Sequence, residues 1–322
     1  GSLTRRPTRQ LGRIRMASTA TASDTGPETC RTMPGSSPST ASATLPASQK
    51  NGLPVIGRHN AVLYEQPGLL EDKKSLIRSI ARGFDRVTSD VRDLAALPWD
   101  IIPVVGCQME LQDIEEEWIR VGRPFVYWDR GYLNRGGKTW IRRSGPEYFR
   151  WQLNAYQMTG LVPNAPQERV QRFRLRVEHW HQSDSRRGVV AAPSDHYQKF
   201  HRIEGWTEKT VQAVRDMGFV PHVRLKRSSA PLQRDIVNAR CLVTHGSVAA
   251  IEAAVLGCAV VVDPCSAAAP VGHTNIEGIR EPIYPDRTEW LRSIAASQFT
   301  AEEVANGTIW RFIGGAHVGP VS

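Results

Sequence analysis

From residue 53 onward, short all-apolar runs alternate with longer stretches whose apolar residues recur every three to four positions. VIGRHNAVLYEQ, DIIPVVGCQ and RPFVYWD read as strands. EDKKSLIRSIARGF, with Leu76, Ile77, Ile80 and Phe84 along one stripe, and LQDIEEEWIRVG read as helices. The alternation stops in the basic, aromatic and poorly periodic GYLNRGGKTWIRRSGPEYFRWQLNAYQ. It restarts after LVPNAPQERVQRF with RGVVAAPS as strand, WTEKTVQAVRDMG as helix, FVPHVRLK as strand and PLQRDIVNA as short helix. CLVT, an alanine-rich helix and CAVVVDP then give strand, helix and strand. Such an order predicts parallel sheets covered on their faces. Two blocks of it predict an α/β protein of two doubly wound, Rossmann-like domains facing across a cleft.

The same pattern sets the expected boundaries. Residues 1–52, built from Ser, Thr, Pro, Ala, Gly and Arg, cannot bury enough surface to offset their ordering entropy and are expected to form a disordered tail. The arginine-rich, acid-poor start of that tail also suits an organelle transit peptide. The first domain is expected over 53–170, the second over 171–312, and a short tail over 313–322. RTEWLRSIAASQ and AEEVANGTIWRFI read as two amphipathic helices at the end of the second domain, with Trp290 and Trp310 as packing anchors.

Ligands of doubly wound sheets sit beyond the carboxyl ends of the strands. The strand CLVT delivers His245, Gly246 and Ser247 to the start of a helix. Ser247 suits an N-cap, Gly246 permits close backbone approach, and free amides with the helix dipole suit a phosphate. Glu252 is a carboxylate in an otherwise apolar helix, which is costly unless it binds something; a capped helix with Glu252 facing solvent is the plainer alternative. Ser194 ends RGVVAAPS, and Arg224 and Lys226 end FVPHVRLK as cations for a diphosphate, though surface charges need no such role. Asp129 ends RPFVYWD, where a carboxylate could take a proton from an attacking hydroxyl; an ion pair with Arg130 or Arg135 is the alternative. His59, in the turn GRHN, is the reserve base. Asp263 and Glu281 lie near loops that could line the same cleft.

Charge and cysteine content narrow the class. The 41 Lys and Arg exceed the 32 Asp and Glu by nine, for an isoelectric point near 9.6, which suits a polyanionic partner or simply a basic tail. Arg130, Tyr132, Arg135, Lys138, Trp140, Arg142 and Arg143 interleave cations with aromatics, a mixture suited to DNA, or else form a loop packed by its aromatics. Five cysteines form no CxxC pair and point to a reducing, cytoplasmic setting. The longest apolar run is broken by Glu252 and Gly257, so no membrane span is expected. No DxD triplet is present, and with cations near the expected phosphates no obligatory metal or other cofactor is foreseen.

THGSVAAIEAAVLGCAVVV resembles the donor-binding segment of GT-B fold glycosyltransferases and of related nucleotide-sugar epimerases, with Ala259 where those have proline. The wider set YWDRGY, LNAYQ, VTHGSVAAIEAAVLG and IEGIREPIYPDRTEWLRSIAASQFTAEEVANGTIWRFI resembles phage and prophage GT-B proteins that glycosylate hydroxymethylated pyrimidines in DNA, over Val55 to Phe312. The resemblance implies that His245, Gly246 and Ser247 hold the diphosphate of a UDP-sugar, that Glu252 binds its ribose, that Asp129 serves the acceptor, and that the C-terminal helices cross back to the first domain. It further implies a monomer in a host cytoplasm, moving glucose to 5-hydroxymethylcytosine extruded from duplex DNA. Transfer to a surface polysaccharide or small acceptor, and a non-catalytic DNA-binding protein of the same fold, are the competing expectations. The acidic set of a non-hydrolysing epimerase cannot be assembled from this chain.

Overall fold

The computed structural model describes residues 56–68, 71–134, 146–158, 160–226, 228 and 230–316. The expected tail at 1–52 and most of that at 313–322 lie outside them.

The first block keeps the expected alternation, with the first strand shortened to Ala61–Tyr64 and with a strand at Arg86–Thr88 and a short helix at Val91–Ala95 that the pattern did not predict. β1 (Ala61–Tyr64), α1 (Glu71–Ala81), β2 (Arg86–Thr88), α2 (Val91–Ala95), β3 (Ile102–Val105), α3 (Gln112–Val121) and β4 (Val126–Arg130) follow in order. β1 pairs parallel with β2 and β3, and β3 parallel with β4. Every residue of β1 and β3 is buried, as expected of parallel strands covered on both faces.

The aperiodic middle holds a strand that its pattern did not predict. β5 (Tyr148–Leu153) runs antiparallel to β4, with Asp129 opposite Arg150 and Trp128 opposite Trp151. Phe149 and Trp151 face the core shared with Ile80 and Phe84, while Arg150 and Gln152 on the other face are also buried. An aromatic–polar alternation of this kind reads as a half-solvated ribbon, but here both faces are covered. Tyr148, Phe149 and Trp151 are therefore core residues.

The second block is all parallel. After α4 (Gln167–Phe173), it runs β6 (Arg187–Ala191), α5 (Asp195–Phe200), α6 (Trp206–Asp216), β7 (Val220–Arg224), α7 (Leu232–Ile236), β8 (Cys241–Thr244), α8 (Ala249–Val255) and β9 (Val260–Val262). The strand order is β7-β6-β8-β9. Cys241 and Cys258 are buried here as small core side chains.

The chain then returns. α9 (Thr288–Ala296) packs in the second core, where Trp290 is buried and donates from Nε1 to the Ala267 carbonyl at 2.7 Å. β10 (Gln298–Thr300) pairs antiparallel with β5, so the first sheet has six strands in the order β10-β5-β4-β3-β1-β2. α10 (Ala301–Ala305) starts with a Thr300–Glu303 capping box, and α11 (Thr308–Ala316) follows after Gly307 at φ +80. One expected helix is thus two. Phe299, Val304, Ile309 and Ile313 belong to the first core, and Trp310 meets Phe84 edge-on at 5.2 Å. Residues 298–316 thus return to the first half of the protein: β10 joins its sheet, and α10 and α11 pack on its core. Arg169 fixes the crossing: buried, it donates to the Ala295 and Gln298 carbonyls and pairs with Glu303. Two α/β layers with a C-terminal return to the first are the arrangement the GT-B resemblance implies.

Candidate active site

Because β1, β3 and β4 are parallel, their carboxyl ends share one edge of the first sheet. Asp129 lies there, near the end of β4. Its Oδ2 accepts from Arg150 Nη2 at 2.8 Å and its Oδ1 from the Arg130 amide at 2.7 Å. The pair spans directly opposed residues of β4 and β5, the closest cross-strand placement a sheet offers. The ion-pair partner is Arg150, rather than the expected Arg130 or Arg135. Arg130 instead lies 3.9 Å from Glu147, more than half exposed. Burial works against the Arg150 charge, but Asp129 and the rings of Tyr132 and Tyr127 outweigh it, and its hold on the proton rises. Asp129 itself keeps 40% of its side chain exposed beside this buried cation, so one face of the carboxylate is open to a ligand.

Cys107 follows β3 on the same edge. Its thiol is pushed up to about 12 by burial and then by Asp129. Its sulfur lies 3.4 Å from His196 Nε2 on α5, a contact that joins the first sheet edge to the second half of the protein.

The second edge is made by the ends of β6, β8 and β9. His245 and Gly246 follow β8, buried; Ser247 is partly exposed, and its Oγ accepts from the Ala249 amide at 3.2 Å, but the N-cap of α8 is Val248, which has no capping side chain, and not the expected Ser247. Gly246 differs from expectation. A Cβ built there would stand 2.3 Å from the Tyr197 hydroxyl and 2.6 Å from Gln157 Nε2. The space a side chain would need is filled by the protein itself, so close approach to Gly246 is made by Tyr197 and Gln157 rather than left for a ligand. Gln157 donates to the Gly246 carbonyl at 2.7 Å and accepts from the Ala267 amide at 3.2 Å, tying the turn after β8 to the loop after β9. The open part of the turn is Ser247–Ala249. Glu252 lies in the first turn of α8, partly buried, while the other residues of that helix from Ala250 to Val255 are buried.

Tyr197 follows His196 on α5 and reaches the second edge. Its hydroxyl lies 3.2 Å from His245 Nδ1, and its ring lies 4.1 Å from that of His201, one helical turn on. Burial first, then Cys265, raises the Tyr197 hydroxyl; Arg150, Asp263 and Cys107 also act on it. Burial, then His245 and Arg150, pushes His201 down to about 4, so it is neutral at physiological pH. Burial also lowers His245. One polar cluster thus runs from Asp129 and Arg150 through Cys107, His196, Tyr197 and His201 to His245, Asp263 and Cys265.

Several expected residues fall elsewhere. His59 precedes β1, at the amino edge of the first sheet, opposite the edge that carries Asp129; it is exposed, and the topology removes it as a reserve base. Tyr132 is buried, its hydroxyl accepting from the Met158 amide at 2.9 Å, so it packs rather than touching DNA. Arg224 reaches the carboxyl edge of β7 but is engaged by Asp235 and the Ala230 carbonyl. Lys226 is exposed beyond it. Ser194 caps α5, its Oγ accepting from the Tyr197 amide at 3.4 Å. Arg135, Lys138, Trp140, Arg142 and Arg143 lie outside the described residues. So do twelve of the 41 basic residues and two of the 32 acidic ones, which leaves 29 against 30 in the described fold. The basic surplus is therefore concentrated in 1–55 and 135–145.

Sequence reasoning missed Tyr197, His196, His201, Gln157 and Cys265. A signal existed for two of them: Tyr197 and His201 stand four apart just after the strand end at Pro193-Ser194.

No protein-family model and no curated protein sequence matches the chain. Among solved structures it is similar to the β-Kdo 2,7 transferase of Thermosulfurimonas dismutans KpsC, at 14% identity and TM-score 0.44, covering 77% of this chain and 98% of that one. The β-Kdo 2,4 transferase of the same KpsC gives 10% identity and TM-score 0.41, covering 73% and 90%. Likenesses this distant assign no activity to the chain. No described helix is long and apolar enough to cross a membrane.

Proposed function

We propose that the protein is a glycosyltransferase that moves a sugar from a nucleoside diphosphate sugar to an acceptor hydroxyl, with its active site where the carboxyl edges of the two sheets meet. The observation that carries this reading is the single polar cluster joining Asp129 on one edge to the His245–Ser247 turn on the other. Such edges are where doubly wound sheets hold their ligands. In this reading the diphosphate lies against the Ser247–Ala249 side of the turn, which stays partly exposed. Glu252 faces the adjoining ribose. Asp129 takes the acceptor proton as the hydroxyl attacks the anomeric carbon, and the nucleoside diphosphate leaves. Arg150 is a positioning residue that fixes the carboxylate at 2.8 Å.

For the acceptor we favour a hydroxymethylated pyrimidine in DNA, with glucose from UDP-glucose as the expected sugar. Residues 135–145, with four cations and no acid, follow Asp129 within a few positions in the chain, which suits a phosphate backbone brought beside that carboxylate. A second reading, a polysaccharide or other soluble acceptor, draws support from the near-neutral charge of the described fold. Labelled nucleotide sugars offered with DNA containing 5-hydroxymethylcytosine, 5-hydroxymethyluracil or cytosine, and with oligosaccharides, separate the two. Label confined to hydroxymethylated DNA supports the first; label in oligosaccharide alone supports the second. DNA binding without transfer from any donor overturns the enzymatic reading.

A further inference from the structure

Among the described residues, one group of His, Cys and acidic side chains converges closely enough to hold a metal ion: His245, Asp263 and Cys265, whose ligand atoms all lie within 4.8 Å of one another. They come from two adjacent strand ends. His245 follows β8, and Asp263 and Cys265 follow β9. The Asp263 amide donates to the His245 carbonyl at 3.0 Å, and the Cys265 amide donates to Asp263 Oδ1 at 3.0 Å, so the backbone holds the three in register. The His245 side chain is nearly buried at 10% exposure, whereas that of Asp263 is 40% exposed, giving the group a closed back and an open mouth.

We propose that His245, Asp263 and Cys265 form a binding site for a borderline-soft divalent cation of the Zn²⁺ class. A nitrogen, a thiolate sulfur and one carboxylate suit Zn²⁺, whereas Mg²⁺ and Ca²⁺ require mainly oxygen ligands. Three protein ligands leave a fourth position for water or a ligand oxygen, the pattern of a zinc site that stays open. The Tyr197 hydroxyl, 3.2 Å from His245 Nδ1, orients the imidazole; Cys265 Sγ lies 3.8 Å from the same nitrogen, and Asp263 Oδ2 3.6 Å from Nε2. A metal-binding thiol must give up its proton. Binding therefore has a defined balance: the cation displaces the thiol proton, which leaves to solvent as the metal–thiolate bond forms. The role of the fourth position rests on the proposed glycosyl transfer, in which it would accept a diphosphate oxygen beside the turn after β8. Cation binding itself does not depend on that reading.

The test is cobalt titration of the full-length, metal-free protein without nucleotide. The expected result is one Co²⁺ bound with a near-ultraviolet thiolate-to-cobalt charge-transfer band, release of one proton, and displacement by Zn²⁺ but not Mg²⁺. The band disappears in Cys265→Ser, while Tyr197→Phe, which keeps all three ligands, weakens binding about 10-fold. Absence of the band, or its persistence in Cys265→Ser with circular dichroism unchanged, overturns the site. The link to transfer is read separately. If the band forms but chelation leaves donor turnover intact, the site stands and its part in the reaction is refuted; a protein that binds cobalt as described but uses no donor refutes the glycosyltransferase reading alone.

Discussion

The two sheet edges solve the same problem, polar groups out of water, in opposite ways. On the first edge Arg150 is fully charged and nearly buried, and one opposed carboxylate, Asp129, compensates it at 2.8 Å. On the second, His201 and His245 are driven neutral by burial, and Tyr197 and Cys265 keep their protons. A fixed charge pair holds one geometry and resists change. A set of neutral donors and acceptors is ready for whichever ion arrives. In the proposed transfer, that difference suits acceptor chemistry on the first edge and capture of charged ligand groups on the second.

The largest effect should come from breaking the first edge. Asp129→Asn keeps the shape but removes the base, and turnover is expected to fall about 100- to 10,000-fold while donor affinity, measured by calorimetry, is unchanged. Next is Glu115, a fully buried carboxyl on α3 whose pKa burial pushes up to about 8, with Tyr156 pulling it back only in part. The folded state holds that proton between the unfolded value near 4.5 and about 8, so this group costs stability as pH rises through that window. His201 and His245 act with the opposite sign below about 6.5, since the unfolded chain protonates them and the folded one does not. The protein should therefore lose stability between about pH 6.5 and 8 in urea melts. Glu115→Gln should remove that loss and gain on the order of 2–3 kcal/mol at pH 7.

A smaller effect tests the second edge. Gly246→Ala must displace the Tyr197 hydroxyl and Gln157, costing about 1–3 kcal/mol in chemical denaturation. Tyr197→Phe, which removes the nearest atom, should restore part of it. If the double variant is no more stable than Gly246→Ala alone, Tyr197 does not cover this turn. The smallest effect is at His59, on the far edge of the first sheet: His59→Ala should leave turnover unchanged and stability within about 0.5 kcal/mol.

Much of this architecture is legible in the chain because parallel strands announce themselves as short unbroken apolar runs. β1, β3, β4, β6, β8 and β9 all do so, and the polar break at His245–Ser247 marks a strand end correctly. β5 is not legible, since Arg150 and Gln152 alternate with aromatics as they would on a wet surface. Their burial depends on a second half of the protein that local sequence does not reveal. β10 is hidden for a related reason: three residues, QFT, pair only because the chain returns to a sheet that began more than two hundred residues earlier. Composition misleads in the same way. The +9 charge belongs to segments outside the described fold, so the surplus says little about the cleft walls.

If the two edges form one site with divided labour, a paired measurement on Asp129→Asn and Glu252→Ala reads that division directly, with donor dissociation constant and nucleoside diphosphate release followed for each. Asp129→Asn should bind donor normally and release almost no nucleoside diphosphate in the presence of acceptor, whereas Glu252→Ala should lose donor affinity. Normal release by Asp129→Asn, or unchanged donor affinity in Glu252→Ala, is incompatible with such a division.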